Sequence, residues 1–436
     1  MTYEKVVEKI EHSRRFGRLS GVEVTGKMLQ TLGNPQEGIR LIHIAGTNGK
    51  GSVSAFLCSI LKEAGLRVGA FTSPHLVDFG ERICINGRMI EKEAVARIGT
   101  RLLNEPFEET PAMFDYCLAM ALLYFREQQC DVLILETGLG GRLDSTNAVG
   151  TPEVSVITKI GYDHTEILGD TLEEIAAEKA GIIKRGTVVV TESQTSAVLA
   201  VLLAAAEDAG ARACRVIRPE EFLQRRYEEG IQSFVYGDYG RLSMQMLGVH
   251  QYENAAAAVE AAQEFLKNGK FSERIENGRG GEDKRQWIKK CVQRGIRAAR
   301  WQGRMEILRK HPFFMVDGAH NGNGVAAFKE SLAALFPGEK FHFVMGVMAD
   351  KDYVKMVEEL LPLAADFTTV TVLSERALAA ETLAAQIRCM GVPAVAFADL
   401  QTCLAQAENA AHKTVAFGSL YFIGEIEALF KNIKES

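Results

Sequence analysis

The sequence predicts an α/β protein: a P-loop domain with a mostly parallel sheet, then a smaller Rossmann-like α/β domain. Three observations lead there. Short aliphatic runs alternate with amphipathic helical stretches along most of the chain, the pattern of a parallel sheet covered by helices on both faces. A glycine-rich turn, Gly46-Thr47-Asn48-Gly49-Lys50-Gly51-Ser52, stands between one such run and a helix. The alternation gives way to polar, glycine-rich sequence over 268–285 and then resumes. A chain of 436 residues is too long for one ordinary core. The reading is therefore a first domain over 1–301 and a second over 302–436.

The elements follow in order. Residues 41–45 read as a buried strand, 52–64 as a helix closed by Gly65, and 68–72 as the next strand. Residues 114–129 are helical by their apolar spacing, while 132–135, 154–158 and 188–190 are short aliphatic strands. Asp170-Thr171-Leu172-Glu173-Glu174 has the form of a capping box, opening a helix that stops at Gly181. Residues 277–285 read as an exposed, mobile loop, and a helix over 287–299 follows. In the second part, 313–316, 341–345, 367–373, 394–397 and 414–417 read as strands.

Composition narrows the partners. Apolar residues make up 47% and charged residues 24%, with a net charge of −6. That is ordinary globular composition without a basic footprint for nucleic acid. Eight cysteines form no Cys-x-x-Cys pair and read as free thiols of a reducing compartment. The polar start is no signal peptide, and no apolar run reaches the roughly 20 residues that cross a bilayer. The expectation is a cytoplasmic protein with neither membrane nor nucleic-acid partner.

The glycine-rich turn carries the chemistry. A phosphate needs converging N–H donors and no side chains in the way, which glycines and a helix N-terminus supply. Gly46, Gly49 and Gly51 are the permissive positions, Lys50 brings a mobile positive charge, and Ser52 brings a hydroxyl. Two residues separate Gly46 from Gly49, fewer than in the usual P-loop, and Gly51 stands where Ser or Thr normally follows the Lys. Ser73 and Glu136 each end a strand, so both belong to the carboxyl edge of the sheet, where open α/β folds bind ligands.

The stretch from His43 to Ser52 resembles the P-loop of the folylpolyglutamate synthases and bifunctional dihydrofolate synthases, within the wider Mur-ligase superfamily. Further motifs agree in the same order: Phe71-Thr72-Ser73-Pro74-His75, Glu136-Thr137-Gly138-Leu139-Gly140-Gly141-Arg142-Leu143-Asp144-Ser145-Thr146-Asn147, Asp163-His164, Lys179-Ala180-Gly181-Ile182-Ile183-Lys184, Asp317-Gly318-Ala319-His320-Asn321 and Gly418-Ser419-Leu420-Tyr421. Gly322 departs from the proline usual after this His-Asn pair. The resemblance implies ATP-dependent joining of L-glutamate to a folate, and open to question is whether dihydropteroate is also accepted. A carboxylate is a poor acyl donor, so it would first take the γ-phosphoryl group of ATP, and the glutamate amine would then displace phosphate.

The resemblance also implies roles. Residues Gly46 to Ser52 with Asn254, Arg304 and Asp317 would hold the nucleotide, and Lys50, Arg304 and His320 would serve the transfer. Ser73 and Glu136 would bind magnesium, His164 would serve a second magnesium, and Lys179 would be carbamylated. A plainer reading of Lys179 is a cation favoured by the C-terminal end of its helix. The acceptor side falls at Ala112, Met113, Phe114, Asp115, Leu143, Asp144 and Ser145; Phe114 is either a stacking platform or helix core, and Asp115 either an acceptor for amino groups or a surface charge. Ser419 and Asp350-Lys351-Asp352 fall on the glutamate side. A monomer is implied. Two alternatives stand beside this reading: a peptidoglycan-precursor Mur ligase, against which the short lead before Gly46 counts, and a nucleotide-dependent switch, which needs the loop but none of the acyl-transfer residues.

Overall fold

Parallel pairing of buried strands organises the chain, and the computed structural model describes residues 1–13, 21–268, 281–407 and 410–435. The expected glycine-rich loop lies outside the described residues as far as Gly280. The chain divides into two units. Unit 1 comprises 1–225, 233–244 and 252–300, and unit 2 comprises 226–232, 245–251 and 301–436. A cut at 301/302 therefore leaves two short pieces of unit 2 with the earlier sequence.

Unit 1 is built on β1 (Arg40–Ala45), β2 (Val68–Phe71), β3 (Ile83–Ile85), β4 (Arg88–Met89), β5 (Val132–Glu136), β6 (Val154–Ile157), β7 (Val188–Thr191) and β8 (Ala213–Val216). They lie in the order β4–β3–β2–β5–β1–β6–β7–β8. From β2 to β8 every pairing is parallel. The register sets Ile44 beside Glu136, Phe71 beside Leu135 and Ala45 beside Ile157. Residues that follow these positions leave the sheet together at its carboxyl edge. β3 and β4 extend that sheet as an antiparallel edge that the aliphatic pattern did not announce.

Helices cover the sheet. Tyr3–Glu11, Lys92–Asn104 and Met113–Glu127 pack with Phe71, Leu133 and Leu135 in one core cluster. Leu172–Ala180 and Ser196–Asp208 pack with Ile157 and Val189 in another. Each such Leu, Ile or Phe contributes about 1.5–3 kcal/mol when fully buried. The capping box of the 172–180 helix forms as expected, with Thr171 accepting from Glu174 N and Gly181 following its last turn.

Three further strands, β9 (Leu223–Glu228), β10 (Ile231–Tyr236) and β11 (Gly240–Met244), form a sheet in the order β11–β10–β9. Unit 2 contains β12 (Glu306–Arg309), β13 (Phe314–Asp317), β14 (Phe341–Met345), β15 (Ala364–Val370), β16 (Ala394–Phe397) and β17 (Lys413–Phe417), in the order β12–β13–β17–β14–β15–β16. Only the β12–β13 pair of this sheet is antiparallel. Phe343 anchors its core, 5.3 Å from Phe367 and 5.6 Å from Phe417 between ring centres. β15 corrects the expected span of 367–373. It starts where Ala364 pairs with Phe341, and Leu373 lies beyond its end at 86% exposure. Alanines that pair do not look like a strand in sequence, and the leucine that does has already left the sheet.

One close helix crossing in unit 1 is testable. Gly295, in the helix Lys284–Ala298, lies against the helix Lys50–Glu63: a Cβ there would sit 2.4 Å from Ile60 Cα. Ser59 Oγ donates to Gly295 O at 2.8 Å. Gly295→Ala is expected to destabilise by about 1–3 kcal/mol through overpacking. Gly26, inside the helix Gly21–Thr31, has nothing within 4 Å of a Cβ, so Gly26→Ala should stabilise by about 0.5–1 kcal/mol. Urea midpoints measure both, and a Gly295→Ala protein unfolding at the wild-type midpoint would contradict the crossing.

Candidate active site

The loop after β1 is shaped by what it cannot accommodate. Gly46 has φ +152°, and a Cβ there would lie 1.8 Å from Thr158 Oγ1. Gly49 has φ +93° and would press a Cβ to 2.4 Å from Asn254 Oδ1. That left-handed Gly49 is the N-cap of the helix Lys50–Glu63, so the helix starts two positions before the expected Ser52. Ser52 itself is buried in its first turn. Gly51 stands between Lys50 and Ser52.

Two lysines converge on this loop. Lys50 Nζ folds back to donate to Gly46 O at 3.1 Å and Thr47 O at 3.3 Å. Lys179 Nζ donates to the same Gly46 O at 2.9 Å. Lys179 sits in the last turn of its helix, but it is only 4% exposed and its amine serves the loop. Burial, with the charge of Lys50 nearby, pushes this amine down to about 7 against the opposing pull of Asp163 and Asp144.

The carboxyl ends of β6 and β7 hold the loop from behind. Thr47 N and Asn48 N both donate to Lys159 O, at 2.9 and 3.3 Å. Thr47 Oγ1 donates to Gly161 O at 3.0 Å. Lys159 N in turn donates to Glu192 Oε2 at 2.8 Å. Glu192 is 2% exposed. Burial first, and Glu253 second, hold its carboxyl well above the usual range.

At the same edge, Ser73 follows β2 half-buried, and Glu136 ends β5 buried. His164 caps the short helix Thr165–Leu168 from a left-handed φ of +51°. Its Nε2 lies 3.8 Å from Asp163 Oδ1. Among the described residues no three His, Cys, Asp or Glu side chains gather as a metal cage. Ser73 and Glu136 offer the hydroxyl and carboxylate oxygens that a magnesium keeping several waters accepts, while the imidazole of His164 is not among its ordinary oxygen ligands.

The expected acceptor-side residues form a braced turn. Asp115 is neither a surface charge nor open to solvent: it is 3% exposed. It accepts from Thr25 Oγ1 at 2.7 Å, Ser145 Oγ at 2.6 Å and Ala112 N at 2.8 Å. Met113 opens the helix whose next residue, Phe114, has its ring centre 5.3 Å from that of Phe71. Gly138 lies so close that a Cβ there would be 2.8 Å from the Phe114 ring. Asp144 accepts from Gly138 N and Leu139 N at 2.9 Å each and from Thr146 N at 3.0 Å. Burial raises its carboxyl despite those bonds. Thr146 Oγ1 also donates to Asp144, and His43 Nε2 meets that hydroxyl at 2.8 Å. Leu143 is 52% exposed.

Unit 2 has its own polar cluster, after β13. Asp317 is buried and accepts from Met305 N at 2.9 Å and Ala319 N at 2.8 Å. Burial raises its carboxyl while the Arg304 guanidinium pulls it down. Gly318 leaves no room for a Cβ, which would sit 2.3 Å from Arg304 Nη1. His320 Nδ1 lies 2.7 Å from Gly318 O. Asn321 caps the helix Gly322–Leu335 by accepting from Gly324 N, so glycine at 322 begins an ordinary capped helix. Ser419 is buried just past β17 and accepts from Tyr421 N at 3.2 Å. Asp352 caps the helix Tyr353–Leu360, and Asp350 lies 4.0 Å from Arg376.

Two family models match this chain. The Mur ligase middle domain matches residues 44–262, and the Mur ligase glutamate ligase domain matches 303–417. A dihydrofolate synthase/folylpolyglutamate synthase of Bacillus subtilis is 37% identical over 369 residues, covering 81% of each chain. The chain belongs to the folylpolyglutamate synthase/dihydrofolate synthase family. A folylpolyglutamate synthase of Lacticaseibacillus casei is 33% identical over 85% of each. Among solved structures, the Mycobacterium tuberculosis folylpolyglutamate synthase complexed with ADP superposes with a TM-score of 0.84 at 30% identity, covering 98% of both chains. A folylpolyglutamate synthase–AMPPCP–folate complex gives 0.80 at 30% identity, over 98% of this chain and 99% of that one.

Sequence reading of this ligase missed the wall behind the loop. Thr158, Lys159 and Glu192 lie at the ends of β6 and β7, and that edge position was the available signal. Glu192 gives a signed prediction. Its folded-state carboxyl is raised, so it binds more protons folded than unfolded as pH rises above about 4.5. Its contribution to stability is present below that pH and is lost as pH rises. Glu192→Gln keeps an acceptor for Lys159 N. It should match wild type near pH 4 and become the more stable protein toward pH 7. Denaturation midpoints across that range test this, and parallel curves would remove the raised carboxyl.

Proposed function

We propose that this chain uses ATP to join L-glutamate to folates through an acyl phosphate, with dihydropteroate as a second acceptor. ATP-dependent ligation is the chemistry of the family to which the chain belongs. The observation that carries the reading to named residues is the Gly46 loop, where two buried or half-buried ammonium groups share one carbonyl. A loop with the mobile Lys50 cation and no side chains in its path invites a polyphosphate.

An acceptor carboxylate oxygen attacks the γ-phosphorus, and the bond to the ADP oxygen breaks. The glutamate amine then attacks the acyl carbon, loses a proton and expels phosphate. The loop N–H groups and Lys50 carry the charge that builds on the phosphoryl oxygens. Lys50 must leave Gly46 O and Thr47 O to do so, a short swing of a flexible chain. Asn254, against Gly49, holds the turn in shape. Arg304, Asp317 and His320 keep the nucleotide and transfer roles implied above, and Ser419 the glutamate role. Ala112 to Asp115 and Leu143 to Ser145 keep the acceptor side, with Asp115 as its brace.

Ser73 and Glu136 would hold magnesium, with His164 at a second one, and the ions would neutralise the phosphates. A carbamate on Lys179 would place oxygens where an ammonium now meets Gly46 O. We keep a cytoplasmic location in the proposal, since all eight cysteines are free and five of them are buried, and the monomer as what the family resemblance implies.

The assay is ADP release with tetrahydrofolate or dihydropteroate, each with and without glutamate, and products identified by mass. Release should require both acceptor and glutamate. Equal release with ATP alone would sink the ligase reading. Lys50→Met should lower kcat by about 10²–10³. For Lys179, isotopically labelled bicarbonate should give a carbamate carbon signal that Lys179→Met lacks; an identical spectrum from both proteins would exclude the modification.

A further inference from the structure

Seven residues beyond the motif that holds Ser73 and His75 lies a cation that the reaction above does not use. Arg82 ends the short 3-10 turn Phe79–Arg82. Phe71 pairs with Ile83, and Thr72 N donates to Arg82 O at 3.1 Å. The backbone of Arg82 is therefore fixed beside the end of β2, next to Ser73. The residue is 7% exposed. Its Nε donates to His75 Nδ1 at 2.8 Å. That bond makes His75 an acceptor at Nδ1, with its ring proton on Nε2, 3.8 Å from Glu11 Oε1.

Four of the five guanidinium N–H groups are left over. No carboxylate among the described residues lies within ion-pair distance of Arg82, and the neighbouring acids are committed elsewhere. Glu81 accepts from Leu76 N, Val77 N and Asp78 N. Asp78 accepts from Gly80 N and Tyr3 OH. Asp115 is taken by Thr25, Ser145 and Ala112. A buried cation without a counter-charge is costly unless a ligand supplies one. Its planar fork fits a carboxylate in two parallel hydrogen bonds.

We propose that Arg82, positioned by His75, is a carboxylate subsite for the acceptor. It takes the carboxylate of the folate's glutamyl end that does not react, leaving the other free for phosphorylation. The charge of Arg82 reaches Cys117, in the helix that begins with Met113 and Phe114. Arg82 thus has its backbone beside the end of β2 and its charge near the helix that carries Phe114 and Asp115. The phosphates have their own cation, Lys50, on a different loop. This inference rests on the proposed folate reaction.

The test compares tetrahydrofolate with its analogue bearing a carboxamide in place of the non-reacting carboxylate. Wild type should show a KM for the acid about 10- to 100-fold below that for the amide, the range of a charged, bidentate hydrogen bond. Arg82→Gln should raise the KM for the acid to that of the amide, leaving the KM for ATP unchanged. Arg82→Lys, which keeps the charge and most of the stem, should fall between them and serves if Arg82→Gln does not fold. His75→Ala should erode the same ratio in part. Each reading is a ratio of two substrates on one protein, so a fraction of inactive enzyme cancels. An acid-to-amide ratio in Arg82→Gln or Arg82→Lys equal to that of wild type overturns the subsite and leaves the ligase reading standing. No acceptor-dependent ADP release by wild type overturns the ligase reading itself.

Discussion

Lys50 and Lys179 both donate to the carbonyl oxygen of Gly46. Burial and the nearby Lys50 charge oppose protonation of the Lys179 amine and hold it down to about 7. Much of unit 1 holds that arrangement in place. β1 delivers Gly46, the helix Leu172–Ala180 delivers Lys179, and β6 and β7 fix Thr47 and Asn48 from behind through Lys159 and Glu192. The site is therefore organised before anything binds, which is the condition under which electrostatic stabilisation is most effective.

The same logic recurs on the acceptor side with the opposite sign. Asp115 and Asp144 are buried carboxylates, each surrounded by donors. Asp144 has only donors around it, so Thr146 must give its hydroxyl proton to Asp144. His43 on β1 must then give its Nε2 proton to Thr146. The strand that leads into the phosphate loop thereby also holds the turn at 138–146. The loop after β1 and the turn at 138–146 are thus tied through one side chain.

How much of this could be read from the residues depended on range. β1, its loop and the following helix were legible because strand, glycines and helix are contiguous in sequence. The motifs at Ser73, Glu136, Lys179 and Asp317 were legible in order, and the parallel sheet put them at strand ends. The short antiparallel strands β3, β4 and β12 were not, because two to four residues carry no periodicity. The assignment of 226–232 and 245–251 to unit 2 was not, because it depends on contacts far along the chain. The burial of Asp115 escaped for the same reason: Thr25 and Ser145, which hold it, are 90 and 30 residues away.

The loop's fit against its neighbours limits how this sequence can drift. Gly46 is locked to Thr158, and Gly49 to Asn254, at distances that admit no added carbon. An alanine at either glycine demands a smaller partner at once, and the positive backbone angles would still oppose it. Residues 46, 49, 158 and 254 thus constrain one another by contact, although more than two hundred positions separate the first from the last. Transplanting the loop into another scaffold without Thr158 and Asn254 would carry over its letters but not its shape.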